Sequence, residues 1–261
     1  MQGGQVDLVS DSTGMAFGSP WTKDPNGTLY FFGSRGGVWR MPPGGLPERI
    51  TTYSIERRLR DLDLGSFRVS MVWNYYDEGL HVIPVPYNLS SVDEVRSWFY
   101  DAKHDAWWED SWMSSGNGVT AVLLVDGDLP DDRRVLMGCQ DGIVRYVDPA
   151  AVTDDEFPID SQVLIGPLMG PSAEHESRFT RMTGVLGATL GPVSYEVLVG
   201  EDYETAEVVD VGYWNPGRNP ISPVRWTGPA AWIRLASAEA NAWALESLHV
   251  DVIPTTRKRT R

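Results

Sequence analysis

Apolar positions along the chain fall in short, often alternating runs broken by Gly, Pro, Asn and Asp, and few windows are long enough for an amphipathic helix; the pattern predicts an all-β protein. The run 28–32 follows the turn residues Asp24-Pro25-Asn26-Gly27, and 38–41 follows the glycine-rich stretch 33–37, which predicts a hairpin. The arrangement repeats. Residues 68–76 and 79–85 flank an Asp-Glu-Gly turn, 97–100 pairs with 107–112 across 101–105, and 119–125 and 134–139 flank an acidic loop before 143–147. Successive units of strand, Asp/Gly turn and aromatic-rich strand, about 40 to 50 residues each, are the sequence form of propeller blades.

The breaker-rich stretch 165–171 predicts a boundary, and beyond it the runs 193–199, 206–211, 231–235 and 242–252 predict the strands of a β-sandwich. The expected organisation is a propeller-like β domain over 1–165, a β-sandwich-like segment over 166–256 and a basic tail over 257–261. Helix is expected only at 54–61 and after the cap signal Ser91-Val92-Asp93-Glu94.

Composition sharpens this picture in three ways. Eleven Trp, ten Tyr and seven Phe are a heavy load of flat side chains, suited to sheet cores and interfaces. The lone Cys139 forms no internal disulfide and predicts maturation in a reducing compartment. Residues 1–10 lack the basic start and apolar run of a secretory signal, and no stretch approaches the roughly 20 apolar residues of a membrane helix, so no membrane span is expected.

The net charge is −14, and Arg257, Lys258, Arg259 and Arg261 contribute +4 to it, which leaves −18 for the rest. Such a surface repels phosphates; it suits a wall past which DNA slides without sticking, or simply a soluble protein.

Motifs for catalysis are sparse. G-x-S-x-G, H-E-x-x-H, G-x-x-x-x-G-K-[ST] and G-x-G-x-x-G are absent, and Gly184, Gly187 and Gly191 have the wrong spacing for a phosphate cradle. Asp126, Asp128, Asp131 and Asp132 are candidate oxygen ligands for Ca²⁺ but lack EF-hand spacing, and Glu174-His175-Glu176 are consecutive and do not converge on one ion. His81 and His249 read as packing residues and Cys139 as core filler.

The densest constellation is 104–112, where Asp105, Glu109 and Asp110 lie among Trp107, Trp108 and Trp112. A glycoside hydrolase needs a carboxyl pair, yet on a strand Glu109 and Asp110 point to opposite faces. The preferred reading is a blade strand with a Trp packed on its core side. No catalytic residue, cofactor or metal is expected, and the chain is not expected to be an enzyme.

Several segments resemble the tail nozzle proteins of short-tailed bacteriophages, also called hub or stabilisation proteins. They are residues 21–33 with Gly36-Gly37-Val38-Trp39 and Pro47-Glu48-Arg49-Ile50-Thr51; His81-Val82-Ile83-Pro84-Val85-Pro86 with 98–107; and 226–235 with 243–250 and Arg257-Lys258-Arg259. Members of that family are usually longer, with a further propeller portion at the start.

The resemblance implies a virion structural subunit, resident in the host cytoplasm before assembly. It implies a ring of like copies, commonly six, contact with an adaptor or other tail protein, and a channel passing DNA during ejection without binding it specifically. Trp21, Trp39, Trp214 and Trp226, placed near loops, are the expected interface anchors. The competing readings are a carbohydrate-binding propeller or lectin, and a glycoside hydrolase using Asp105, Glu109 or Asp110.

Overall fold

The computed structural model describes residues 8–51, 53–88, 96–112, 118–129, 132–155, 157–170, 175–221, 224–237 and 241–258. The protein is all-β, and it divides into two compact units, Met1–Pro149 and Ala150–Arg261.

The first unit opens with β1 (Trp21–Lys23), β2 (Leu29–Phe32), β3 (Val38–Met41) and β4 (Glu48–Arg49), an antiparallel meander in chain order. Turn chemistry sets its register. The Asp24 carboxylate accepts the Thr28 N–H at 2.8 Å while Gly27 takes a positive φ of 80°, closing the first hairpin. The helix α1 (Tyr53–Arg60) follows and buries Leu59, with Ile55 packed beside it one turn earlier. Its last residue lies so close to the β2–β3 turn that a Cβ on Gly36 would meet the Arg60 backbone at 2.9 Å.

A second meander follows, β5 (Phe67–Asn74), β6 (Gly79–Pro86), β7 (Ser97–Asp101) and β8 (Ala106–Asp110), and then a three-stranded sheet of β9 (Val119–Val125), β10 (Arg134–Cys139) and β11 (Val144–Tyr146). The helix expected after Ser91 lies outside the described residues.

Strand β6 is buried at all eight positions because both faces of its sheet are covered. Leu80 and Val82 join a core with Tyr30, Phe32, Val38, Leu59 and Tyr100, while Ile83 and Val85 on the other face meet Val119, Val135, Met137 and the buried Cys139. Consecutive meanders packed face to face are the blade arrangement that the repeated strand-turn-strand pattern predicts.

The second unit begins with a short ribbon, β12 (Thr153–Asp154) and β13 (Phe157–Pro158), and continues with β14 (Gln162–Leu168), β15 (His175–Leu186), β16 (Val193–Gly200), β17 (Glu207–Trp214), β18 (Gly217–Ile221), β19 (Trp226–Gly228), β20 (Ala230–Ser237) and β21 (Leu245–Lys258). One sheet has the order β14-β20-β16-β17; in the other, β15 pairs with β18 and β19 on one side and with β21 on the other. Inward-facing Val193, Tyr195, Val197, Ile233, Leu235 and Trp214 of the first sheet pack on Met182 and Leu186 of the second, which makes a two-layer sandwich.

The unit boundary falls after Pro149 and not at 165/166. Residues 162–168 look like a breaker-rich linker in sequence, yet they form β14, which pairs with β20 from Gln162↔Ala236 to Leu168↔Ala231. The expected tail 257–261 is also shorter than composition suggests, because β21 runs through Lys258 and pairs it with His175.

Candidate functional site

The three carboxylates of the Trp-rich segment do not converge. Glu109 accepts hydrogen bonds at 2.5 Å from Arg58 of α1 and from Arg96, which immediately precedes β7. Asp110 points the other way, its carboxylate 3.5 Å from His81 Nδ1. Asp105 sits in the β7–β8 turn at a φ of 50° and accepts the Tyr100 hydroxyl at 2.7 Å. Trp107 is the core-facing tryptophan, packing on Tyr100 with ring centroids 5.0 Å apart and donating its Nε1–H to the Ile50 carbonyl at 3.2 Å. Trp108 is exposed.

Burial opposes ionisation of Glu109, but the hydrogen bonds from Arg96 and Arg58 outweigh it and hold its carboxyl below the usual range. The unfolded chain therefore binds this proton more tightly than the folded one. Its stabilising contribution is complete above the unfolded value, about 4.3, and is lost as pH falls through the folded value. Glu109→Gln is expected to destabilise by about 1 kcal/mol at neutral pH, with the difference from the parent shrinking below about pH 4. Thermal melts across pH check this, and a gap that does not narrow in acid contradicts it.

His81 is buried between Phe99 and Trp112, with ring centroids at 4.8 and 5.1 Å. Its Nε2 lies 3.4 Å from the Asn74 amide, which in turn donates to Asp77 at 2.7 Å. Burial raises the Asp77 carboxyl above its ordinary range, against the opposing pull of His81 and Asn74. His249, by contrast, is exposed on β21. Of the acidic-loop candidates, Asp126 is 3.5 Å from the Arg133 guanidinium, while Asp131 lies outside the described residues, as does Glu174. Among the described residues, no three His, Cys, Asp or Glu side chains group so as to hold a metal ion.

The four tryptophans expected at an interface have different fates, although Trp21, Trp214 and Trp226 each stand at a strand end beside a loop and Trp39 is the second residue of β3. Trp21 is 45% exposed on the edge strand β1. Trp39 is half-buried, stacked on Phe31 at 6.5 Å with the Arg49 guanidinium 5.9 Å from its ring. Trp226 packs against the sandwich core. Trp214 is not a surface anchor: it is 1% exposed at the centre of that core, because the end of β17 turns it inward opposite Val193.

The surface best suited to docking is the neighbouring stretch of β17, which the tryptophan count does not reveal. β17 ends its sheet, and no described strand pairs with its outer edge. Val208, Val209, Val211 and Tyr213 are 53%, 44%, 61% and 72% exposed. Val211 and Tyr213 lie opposite Glu196 and Ser194 on the outer face, and Glu196 is ion-paired with Arg234 of β20. The hairpin that delivers β17 carries Glu201, Asp202, Glu204, Glu207 and Asp210 with no basic residue between them. Asp202 organises the turn by accepting the backbone and hydroxyl hydrogens of Thr205 at 2.8 and 2.9 Å, which keeps its carboxyl in the ionised range.

No protein-family profile and no curated protein matches the chain. Among solved structures, it is similar to an exo-β-1,3-galactanase from Phanerochaete chrysosporium with galactose, at 8% identity and a TM-score of 0.28, covering 88% of this chain and 67% of the other. It is also similar to an alanine variant of that galactanase with β-1,3-galactotriose, at 10% identity and a TM-score of 0.27, with the same coverage.

The expectation that the chain is not an enzyme does not hold against these matches, since the solved structures are glycoside hydrolases. The motifs whose absence carried that expectation belong to other chemistries. A glycosidase is defined by how far apart its two carboxyls stand in space, which none of those linear motifs reports.

Proposed function

We propose that the chain is a structural subunit of a phage tail, a nozzle or hub component below the portal and adaptor that joins copies of itself in a ring and forms part of the DNA ejection channel. The observation that carries the assembly reading is β17, an eight-residue edge strand with four exposed large apolar side chains and no Lys or Pro. Natural sheets blunt such edges with charged side chains, Pro, bulges or a covering segment, because an open ladder of N–H and C=O groups recruits other strands; β17 carries Glu207, Asp210 and a bulge in its first half, while Val211 and Tyr213 beyond them stay exposed and apolar. An edge left open and apolar is suited to being covered by a neighbour, and closed rings bury a recurring patch without leaving a free end. The placement in a tail rests on the nozzle-like segments of the sequence, and the net charge of −14 suits a channel wall that repels DNA.

Mass photometry of the purified chain, alone and with tail particles, tests the reading together with electron microscopy of the particle. The expected result is a ring population for the parent and a monomer for the double substitution Val211→Lys with Tyr213→Lys, at unchanged thermal stability. A parent that stays monomeric and never joins a particle sinks the proposal.

A further inference from the structure

The sheets of the first unit pack face to face, and the two sheets at the ends of that stack each keep an apolar face turned outward. Strand β9 is apolar at every position but Thr120. Such a run is the pattern of a strand covered on both faces, and β6 in the same unit is buried at every position. On one face of β9–β11 the pattern is met: Val119, Val135, Met137 and Cys139 pack on Val72, Ile83 and Val85.

The other face of this sheet stays exposed. The register sets Leu123 beside Leu136 and Tyr146, Ala121 and Val144 beside Gly138, and Val125 beside Arg134, whose guanidinium lies over the Tyr146 ring at 4.8 Å. Leu123, Val144 and Tyr146 are 62%, 65% and 51% exposed. A contiguous apolar patch of this kind marks a surface that another layer covers.

At the opposite end stands the outer face of β1–β4. Tyr30, Phe32 and Val38 point inward to the core shared with β5 and β6. The outward rows are Trp21, Phe31, Trp39 and Arg49, then Lys23, Leu29 and Met41. Trp21 and Lys23 are exposed on the edge strand, and the Arg49 guanidinium sits by the Trp39 ring.

Charge decides which face covers which. The loop 126–133 at the end of β9 carries four Asp against one Arg, and that Arg133 is already 3.5 Å from Asp126. Asp128 and Asp132 are exposed. Two β9–β11 faces set against each other would bring two such acidic loops together. The β1–β4 face instead offers Lys23 and Arg49, while Asp24 beside them is engaged in its own turn with the Thr28 N–H. Complementary rims around apolar centres favour the unlike pairing and penalise the like one. A contact between two different faces of the same chain repeats from copy to copy, as a closed ring requires.

We propose that the exposed face of β9–β11 in one copy packs on the outer face of β1–β4 in the next, continuing the stack of sheets across copies. The inference rests on the reading that copies join in a ring, and it names the faces of the first unit that meet; the β17 edge is a separate surface.

Photo-crosslinking of the full chain tests it. Leu123 is replaced by p-benzoylphenylalanine in ¹⁵N-labelled protein, which is mixed with unlabelled parent so that mass distinguishes adducts between copies. The expected adducts map to 21–41 of the unlabelled copy. Trp21→Glu with Lys23→Glu in that copy should lower their yield about tenfold or more without moving the thermal melt. Rings seen by mass photometry with adducts absent, or mapped to β9–β11 or the second unit of the other copy, overturn this contact and leave the ring reading standing. Adducts at 21–41 without rings support the contact and count against the ring. A chain that gives neither rings nor adducts overturns both, and adducts formed only with another tail protein overturn the assignment to a second copy.

Discussion

Replacing Trp214 with alanine is expected to destabilise the protein by about 3–5 kcal/mol, read as a shift of the urea unfolding midpoint at constant slope. Among the described residues, the indole is the largest fully buried side chain. It lies between the two layers of the sandwich, its ring 5.3 Å from that of Tyr195 and in one cluster with Met182, Leu186, Ile233 and Leu235. Hydrogen-bonded strands on both sides of the gap prevent collapse, so truncation removes the transfer free energy of the ring and leaves a cavity as well. Trp214→Phe keeps a six-membered ring in place and should cost much less. A midpoint shift for Trp214→Ala corresponding to less than about 1 kcal/mol would show that the two layers are not held apart as described.

The second large effect is expected at Gly184 on β15, directly across the sandwich from Trp214. A Cβ there would lie 2.3 Å from Trp214 Cζ3, 2.5 Å from Cη2 and 2.6 Å from Cε3, inside contact distance of three ring atoms at once. The strand cannot retreat, since Gly184 pairs with Asn219 of β18 on one side and Leu248 of β21 on the other. Gly184→Ala should therefore cost about 1–3 kcal/mol by overpacking. The mechanism predicts a sign for the coupling: with Trp214 already truncated, the same alanine fills space and its penalty should largely disappear. A double-mutant cycle reads this directly, and strictly additive costs would assign the effect of Gly184→Ala to the backbone instead.

Gly184 also shows where sequence reading stops. As one of three glycines in 184–191 its only local meaning is a spacing unsuited to phosphate, and nothing nearby in the chain announces a tryptophan thirty residues later as the reason for it. Strand β15 is missed for a related cause. Its buried positions Ser177 and Phe179 alternate in step, but a register shift between Phe179 and Arg181 moves burial to Met182, so the period of two is broken in mid-strand. The same holds for β14, whose Gly-Pro pair resembles a linker and is recognised as a strand only by its pairing with β20.

Features that depend on neighbours a few residues apart were legible in the chain. The Asp, Asn and Gly turns closed β1–β2, β5–β6 and β7–β8 as their chemistry requires, the alternation established an all-β chain, and the period of a strand separated Glu109 from Asp110 onto opposite faces. Tertiary structure alone decided which side of a strand met another layer. Trp21 and Trp214 are the same residue in similar strand contexts, yet one is half exposed on an edge and the other sealed in a core. The open edge of β17 exists because no other described strand pairs beyond it, and Leu123, Val144 and Tyr146 are exposed because the core packs on the opposite face of β9–β11. Side-chain alternation is a local property of an extended backbone, whereas burial depends on what packs above it, and those partners lie tens of residues away in the chain.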